Sequence, residues 1–266
     1  MRRELHLTPK PGLVDLDDAG SHPDLSLAIM ESSIALVADY LEELGTSVTR
    51  GEPIGRQVSV ARRAERRMLA KLGSNTHKGA IFICGILVMA RYRTDCDDEG
   101  ALRCAVSRVA RQVAAASAPR GTHGEVARDR FHVGGILREA EMGLPSIFEV
   151  AVPAFRDAVA GGEVDAALPF RMLASLMQTV EDTTALHRCG SAGLARVRED
   201  GALLARLIPA GAHIPFLRER NAMYRRMNLT MGGVADLLAV ALGWLVYRGE
   251  IRWEADDALP GPSFTP

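Results

Sequence analysis

Residues 78–92 are apolar on almost every side of a helix, and this decides what the chain can fold into. A helix without a polar face has to stand among other helices or in a membrane. The continuous apolar run, 80–90, is too short for a bilayer, which takes about 20 residues. A second run, 231–247, comes nearer that length but holds Asp236 and the glycines Gly232, Gly233 and Gly243. Both read as buried core helices, with no membrane partner.

The rest of the chain repeats apolar residues at helical spacing. Residues 25–44 carry Leu27, Ile34, Leu36, Val37 and Leu41, with Ser21 and Asp24 as start signals and Gly45 as a stop. A basic amphipathic helix is predicted over 59–72, ending at Gly73. Further helices are predicted over 99–116, 135–142, 147–160, 166–179, 193–207 and 214–226, and a last one from near Thr230; Gly201 is a candidate break in the fifth of these. Alternating strand patterns are scarce, and Asp200-Gly201 lacks the flanks of a hairpin. The expected fold is all-α: a single multi-helix catalytic domain over 1–254 around a buried central apolar helix, followed by a Pro/Gly-rich disordered tail over 255–266.

A formal net charge of -1 gives no global field for nucleic acid or anionic lipid. Cys84, Cys96, Cys104 and Cys189 form no CxxC pair, so neither a zinc site nor a redox motif is expected; Cys84 reads as a buried small hydrophobe. Residues 1–15 lack the apolar core of a signal peptide, and a reducing cytoplasm is the expected compartment.

Five polar segments interrupt the helices. Pro9-Lys10-Pro11-Gly12-Leu13-Val14-Asp15, followed by Gly20-Ser21-His22-Pro23-Asp24, reads as a rigid leader. It either brings Lys10, Asp15, His22 and Asp24 to a ligand or caps a helix through Ser21. Ser74-Asn75-Thr76-His77-Lys78-Gly79 stands before the most apolar helix, where free N–H groups favour phosphate. The alternative is an Asn75 or Thr76 cap with solvated His77 and Lys78. Glu139, in Arg138-Glu139-Ala140-Glu141-Met142-Gly143-Leu144-Pro145, reads either as inward-facing or as solvated. Glu181-Asp182-Thr183-Thr184, with His187 and Arg188 after it, puts adjacent carboxylates at an unfavourable helix end, which a divalent metal or Arg188 would compensate. Last, Asn228-Leu229-Thr230-Met231-Gly232-Gly233-Val234-Ala235-Asp236 carries the lone charge of an apolar helix. A buried carboxylate there needs a partner, a metal or a proton.

Taken together and in order, these segments resemble the triphosphoribosyl-dephospho-CoA synthase family. That family carries Pro-Lys-Pro-Gly-Leu-Val-Asp, Gly-x-His-x-Asp, Asn-Thr-His-Lys-Gly-Ala-Ile, Glu-Ala-x-x-Gly-Phe-Pro, Glu-Asp-Thr-Asn and Asn-x-Ser-Pro-Gly-Gly-Ser-Ala-Asp-Leu-Leu-Ala. Here Thr184 stands for the family asparagine, Leu144 for the phenylalanine, and Thr230, Met231 and Val234 for serine, proline and serine. The resemblance implies an enzyme that transfers the triphosphoribosyl group of ATP to the 2'-hydroxyl of 3'-dephospho-CoA and releases adenine. The product is the precursor of the prosthetic group of citrate lyase and malonate decarboxylase carrier subunits. The partners implied are ATP and 3'-dephospho-CoA, with a second copy of the chain as a further candidate.

For this reaction the expected catalytic groups are Asp24, Glu181, Asp236 and His22. Lys10, Asn75, Thr76, His77, Lys78, Gly79, Arg188, Asn228, Gly232 and Gly233 are expected around the nucleotide. Magnesium is expected on Glu181, Asp182 and Asp236. The competing readings are a magnesium-dependent N-glycosidase or phosphohydrolase using water, and a non-catalytic helical binding module.

Overall fold

The computed structural model describes residues 1–94, 98–117, 126 and 129–252; the predicted tail over 255–266 and Cys96 lie outside them. The described residues are helical without strands, so the fold is all-α. In chain order the helices are α1 (Arg2–His6), α2 (Leu27–Thr49), α3 (Ile54–Leu72), α4 (Lys78–Arg91), α5 (Glu99–Ala115) and α6 (Gly135–Glu141). A π turn, Ser146–Ala151, leads into α7 (Val152–Ala160). Then come α8 (Leu168–Thr179), α9 (Thr183–Leu207), α10 (His213–Met227) and α11 (Gly232–Tyr247). No described helix is long and apolar enough to cross a membrane.

The centre is shared by α4, α8 and α11. Residues 237–242 of α11 are all buried, which is why that helix reads as apolar all round. Helix α4 buries Ala80, Ile81, Ile83 and Ile86, but Lys78, Phe82, Cys84, Leu87 and Val88 keep partial exposure. Cys84 is therefore less enclosed by surface than its sequence suggests. Burial still pushes its thiol up to about 11, so it stays protonated.

Three boundaries depart from the sequence reading, each for a local reason. Helix α2 starts at Leu27, because Ser26 Oγ accepts from the Ile29 N–H at 3.3 Å; Ser21 and Asp24 are not its caps. The same helix runs through Gly45, since one glycine costs only about 1 kcal/mol and the apolar face continues to Leu44 and Val48. The break in α9 falls at Gly190 (φ 64°, ψ -163°) rather than at Gly201. Gly201 is helical and buried, and serves as the crossing point with α8. A Cβ there would stand 2.7 Å from Met177 Cβ and 3.0 Å from the Ala174 carbonyl.

Candidate active site

Three helices begin at one place, and each leaves backbone N–H groups that need acceptors. Asp182 answers two of them. It is wholly buried, and its Oδ1 accepts from Thr184 N (2.9 Å), Ala185 N (3.0 Å) and the Thr184 hydroxyl, capping its own helix α9. Its Oδ2 accepts from Val234 N at 2.9 Å, at the start of α11. Thr184 completes the joint: its hydroxyl donates to Asp182 and accepts from Gly232 N at 2.8 Å. Gly232 and Gly233 let these groups close in, since a Cβ on Gly233 would stand 3.1 Å from Asp182 Oδ2 and one on Gly232 3.3 Å from Thr184 Oγ1. Burial raises the Asp182 pKa, and the donors oppose that rise.

Asp236 answers the third helix start. It lies in the second turn of α11 and accepts from the Ala80 N–H of α4, whose own preceding residue supplies no side-chain cap. Gly79 makes this possible: a Cβ there would fall on the Asp236 carboxylate. The residue keeps partial exposure, while its carboxyl is surrounded by protein. Desolvation, with Glu4 and Asp182 as negative neighbours, pushes its pKa well above the ordinary carboxylate range. Nearby, Lys78 is half-buried and makes no hydrogen bond or ion pair among the described residues, and the buried Asn75 Oδ1 has no partner.

The leader is pinned beside this centre. Gly12, at φ 70°, donates its N–H to Asn221 Oδ1 at 2.9 Å, and Asp18 accepts from Asn221 and Arg225 at 3.0 Å each. The Arg188 guanidinium donates to the Ser21 carbonyl (2.7 Å) and Asn228 Oδ1 (2.8 Å), and meets His22 Nδ1 at 3.2 Å. A guanidinium only donates, so His22 Nδ1 accepts. The ring proton therefore sits on Nε2 and is given to Thr230 Oγ1 at 3.0 Å. Burial and Arg188 push the His22 pKa down to about 4, so the ring is neutral near pH 7.

Several expected ligand groups turn out to be built into the scaffold. Lys10 is 1% exposed, and its ammonium is closed in by the Glu4 carboxylate and the Glu4 carbonyl (2.5 Å). It does not reach an open pocket with Arg188, because Glu4, on a helix with no periodic signal of its own, neutralises it. His77 is buried as well; its Nδ1 lies 2.6 Å from Ser33 Oγ, which also takes the Thr76 hydroxyl. Burial lowers the His77 pKa to about 3, so His77 and Thr76 are neutral anchors rather than phosphate donors. Asp24 is exposed.

The three carboxylates expected to share magnesium do not converge. Asp182 lies in electrostatic reach of Asp236, but Glu181 is exposed and accepts from Gly134 N at 3.0 Å. Four donors already occupy Asp182. Among the described residues no three His, Cys, Asp or Glu side chains stand close enough to hold a metal ion. The donor set therefore does not fit the expected ion. Glu139 lies in electrostatic reach of Glu181. It accepts from Ser146 N (2.7 Å) and Ser146 Oγ (3.0 Å), and burial raises its pKa. Its inward setting is legible only as one of the two readings of its motif.

The chain is 32% identical over 248 residues to a probable 2-(5''-triphosphoribosyl)-3'-dephosphocoenzyme-A synthase of Pseudomonas putida, covering 90% of this chain and 88% of the relative. It is 35% identical over 257 residues to a protein of the same description from Azotobacter vinelandii, covering 90% and 85%. It is 32% identical over 253 residues to the 2-(5''-triphosphoribosyl)-3'-dephosphocoenzyme-A synthase of Klebsiella pneumoniae, covering 90% and 88%. No solved structure matches. The family model for CitG, ATP:dephospho-CoA triphosphoribosyl transferase, matches residues 1–255, and the chain belongs to that family.

Proposed function

We propose that this chain moves the triphosphoribosyl group of ATP onto the 2'-hydroxyl of 3'-dephospho-CoA, with Asp236 as the group that carries the proton. A C–O bond forms at the anomeric carbon, the C–N bond to adenine breaks, and the hydroxyl proton must end on adenine. No net proton is taken up. One carboxyl between the two nucleosides can therefore accept the proton from the incoming hydroxyl and return it to the leaving base. A carboxyl with a raised pKa suits both halves of that exchange. The observation that carries this reading is Asp236 itself: a desolvated carboxyl at the junction of two helix starts, with its oxygen against Gly79.

The start of α4 supplies the phosphate end. Its backbone dipole and the unpaired, half-buried Lys78 both favour an anion there. An oxocarbenium-like transition state also favours a nearby negative charge. Magnesium enters this proposal only as a companion of the triphosphate in solution. The three described cysteines are free, which suits a reducing cytoplasm.

The test is incubation with ATP, magnesium and dephospho-CoA, followed by mass analysis. Adenine and the condensed product should appear together and in equal amounts. Adenine release that does not depend on dephospho-CoA would instead make the chain an N-glycosidase using water.

A further inference from the structure

A groove opens between α5 and α6 next to Glu181. Gly134, which donates its N–H to Glu181, lines its near end, and Arg111 and Arg138 stand on its walls. This part measures about 570 Å³. It continues past Arg111 and Met142 into a second hollow of about 860 Å³, where Arg108 and Ser107 are exposed to the cavity. Either volume is in the range of small-molecule sites, roughly 300–1,000 Å³. Arg108 and Arg111 fall three residues apart on one face of α5, so their side chains point the same way.

The charge of this groove is uncompensated. Arg108, Arg111 and Arg138 are exposed and form no ion pair among the described residues, whereas Arg103 beside them is tied to Glu149. Asp129 and Glu141 also stand on the walls, and neither pairs with these arginines. Guanidinium groups present forked donors that match phosphate oxygens. Between them lies apolar surface: Leu137 lines the first hollow, and Met142, 57% exposed, lines both. Cations thus line both hollows, and the second is the less polar of the two.

We propose that this α5–α6 groove holds the diphosphate and pantetheine arm of dephospho-CoA, with the acceptor ribose at the Glu181 end. The proposal rests on the transferase reading above. A diphosphate that carries a long, mostly apolar arm matches a groove with both arginines and apolar surface along its length. A triphosphate has no such arm, and its cations are already provided at the start of α4.

The experiment uses the full chain with Arg111 and Arg138 both changed to Gln. Both side chains are exposed, and an unchanged melting curve will verify that the variant folds. Loss of two charge-assisted contacts should raise the KM for dephospho-CoA by about tenfold or more. The KM for ATP and the kcat at saturating acceptor should stay within about twofold. With adenosine as acceptor, which lacks the diphosphate, the substitutions should have no effect on adenine release. An ATP KM that rises instead would place the triphosphate in the groove and overturn the proposal. So would an equal loss with both acceptors. If the unaltered chain turns over no dephospho-CoA at all, the transferase reading fails separately. Calorimetric titration with dephospho-CoA then decides the groove: tenfold weaker binding in the double variant upholds it, and equal binding overturns it.

Discussion

At the scale of single residues, the chemistry concentrates on groups whose protonation the fold has moved. Asp236 has a raised pKa, so the folded state holds its proton more tightly than the unfolded chain does. Below the ordinary value of 3.8 both states are protonated and the group costs nothing. As pH rises above it, the unfolded chain ionises first, and stability falls until the folded carboxyl ionises too. Asp236→Asn should therefore melt no lower than the parent at pH 7, with any gain shrinking as pH approaches the ordinary carboxylate range. Its adenine release should drop by about a hundredfold or more. Near-normal turnover in that variant would remove Asp236 from the mechanism. His22 shifts the other way, from 6.5 to about 4. Its contribution to stability is complete above 6.5 and is lost as pH falls through that window. In an NMR titration its ring signals should stay flat down to about pH 5, and Arg188→Met should move the midpoint back up. The special status of Asp236 is legible in the sequence, as a lone charge in an apolar helix. The burial of Lys10 and His77 is not, because their partners Glu4 and Ser33 are solvent-type residues whose setting only tertiary packing decides.

At the scale of helices, the start signals mislead where an acceptor comes from another segment. Asp182 is the local cap of α9, but it also caps α11, and Asp236 caps α4, and neither of these two a local capping pattern records. Thr184, where the family has asparagine, supplies a hydroxyl that donates to one partner and accepts from the other, so the departure is structural. Glycines show the same ambiguity between breaking a helix and letting two helices touch. Gly201→Ala should push α9 from α8 and cost about 1–3 kcal/mol in a urea titration. Gly243→Ala, on an exposed helix position with nothing within 4 Å, should instead be neutral or stabilise by up to about 1 kcal/mol. Equal effects from the two would mean that α8 and α9 are not in tight contact at Gly201.

At the scale of the whole molecule, burial sets a gradient of local stability. Helices α8 and α11 are enclosed by the core, while α3 buries only one face (Gln57, Val58, Val60, Ala64 and Met68). Native-state hydrogen exchange should find the slowest amides in Leu168–Thr179 and Gly232–Tyr247, and faster opening in Ile54–Leu72. Protection that is uniform across all three would contradict this order. The class of fold is legible from periodicity, because apolar faces repeat along nearly every helix. The meeting of the site's parts is not, since Gly79, Asp182 and Asp236 come from three distant stretches of one chain. That separation has a consequence for synthesis on the ribosome. Until Gly232–Tyr247 has emerged, Asp182 lacks its Val234 donor, and Gly79 faces no carboxyl. A nascent chain that lacks Gly232–Tyr247 therefore lacks both contacts, and the proposed centre assembles only once that segment is available.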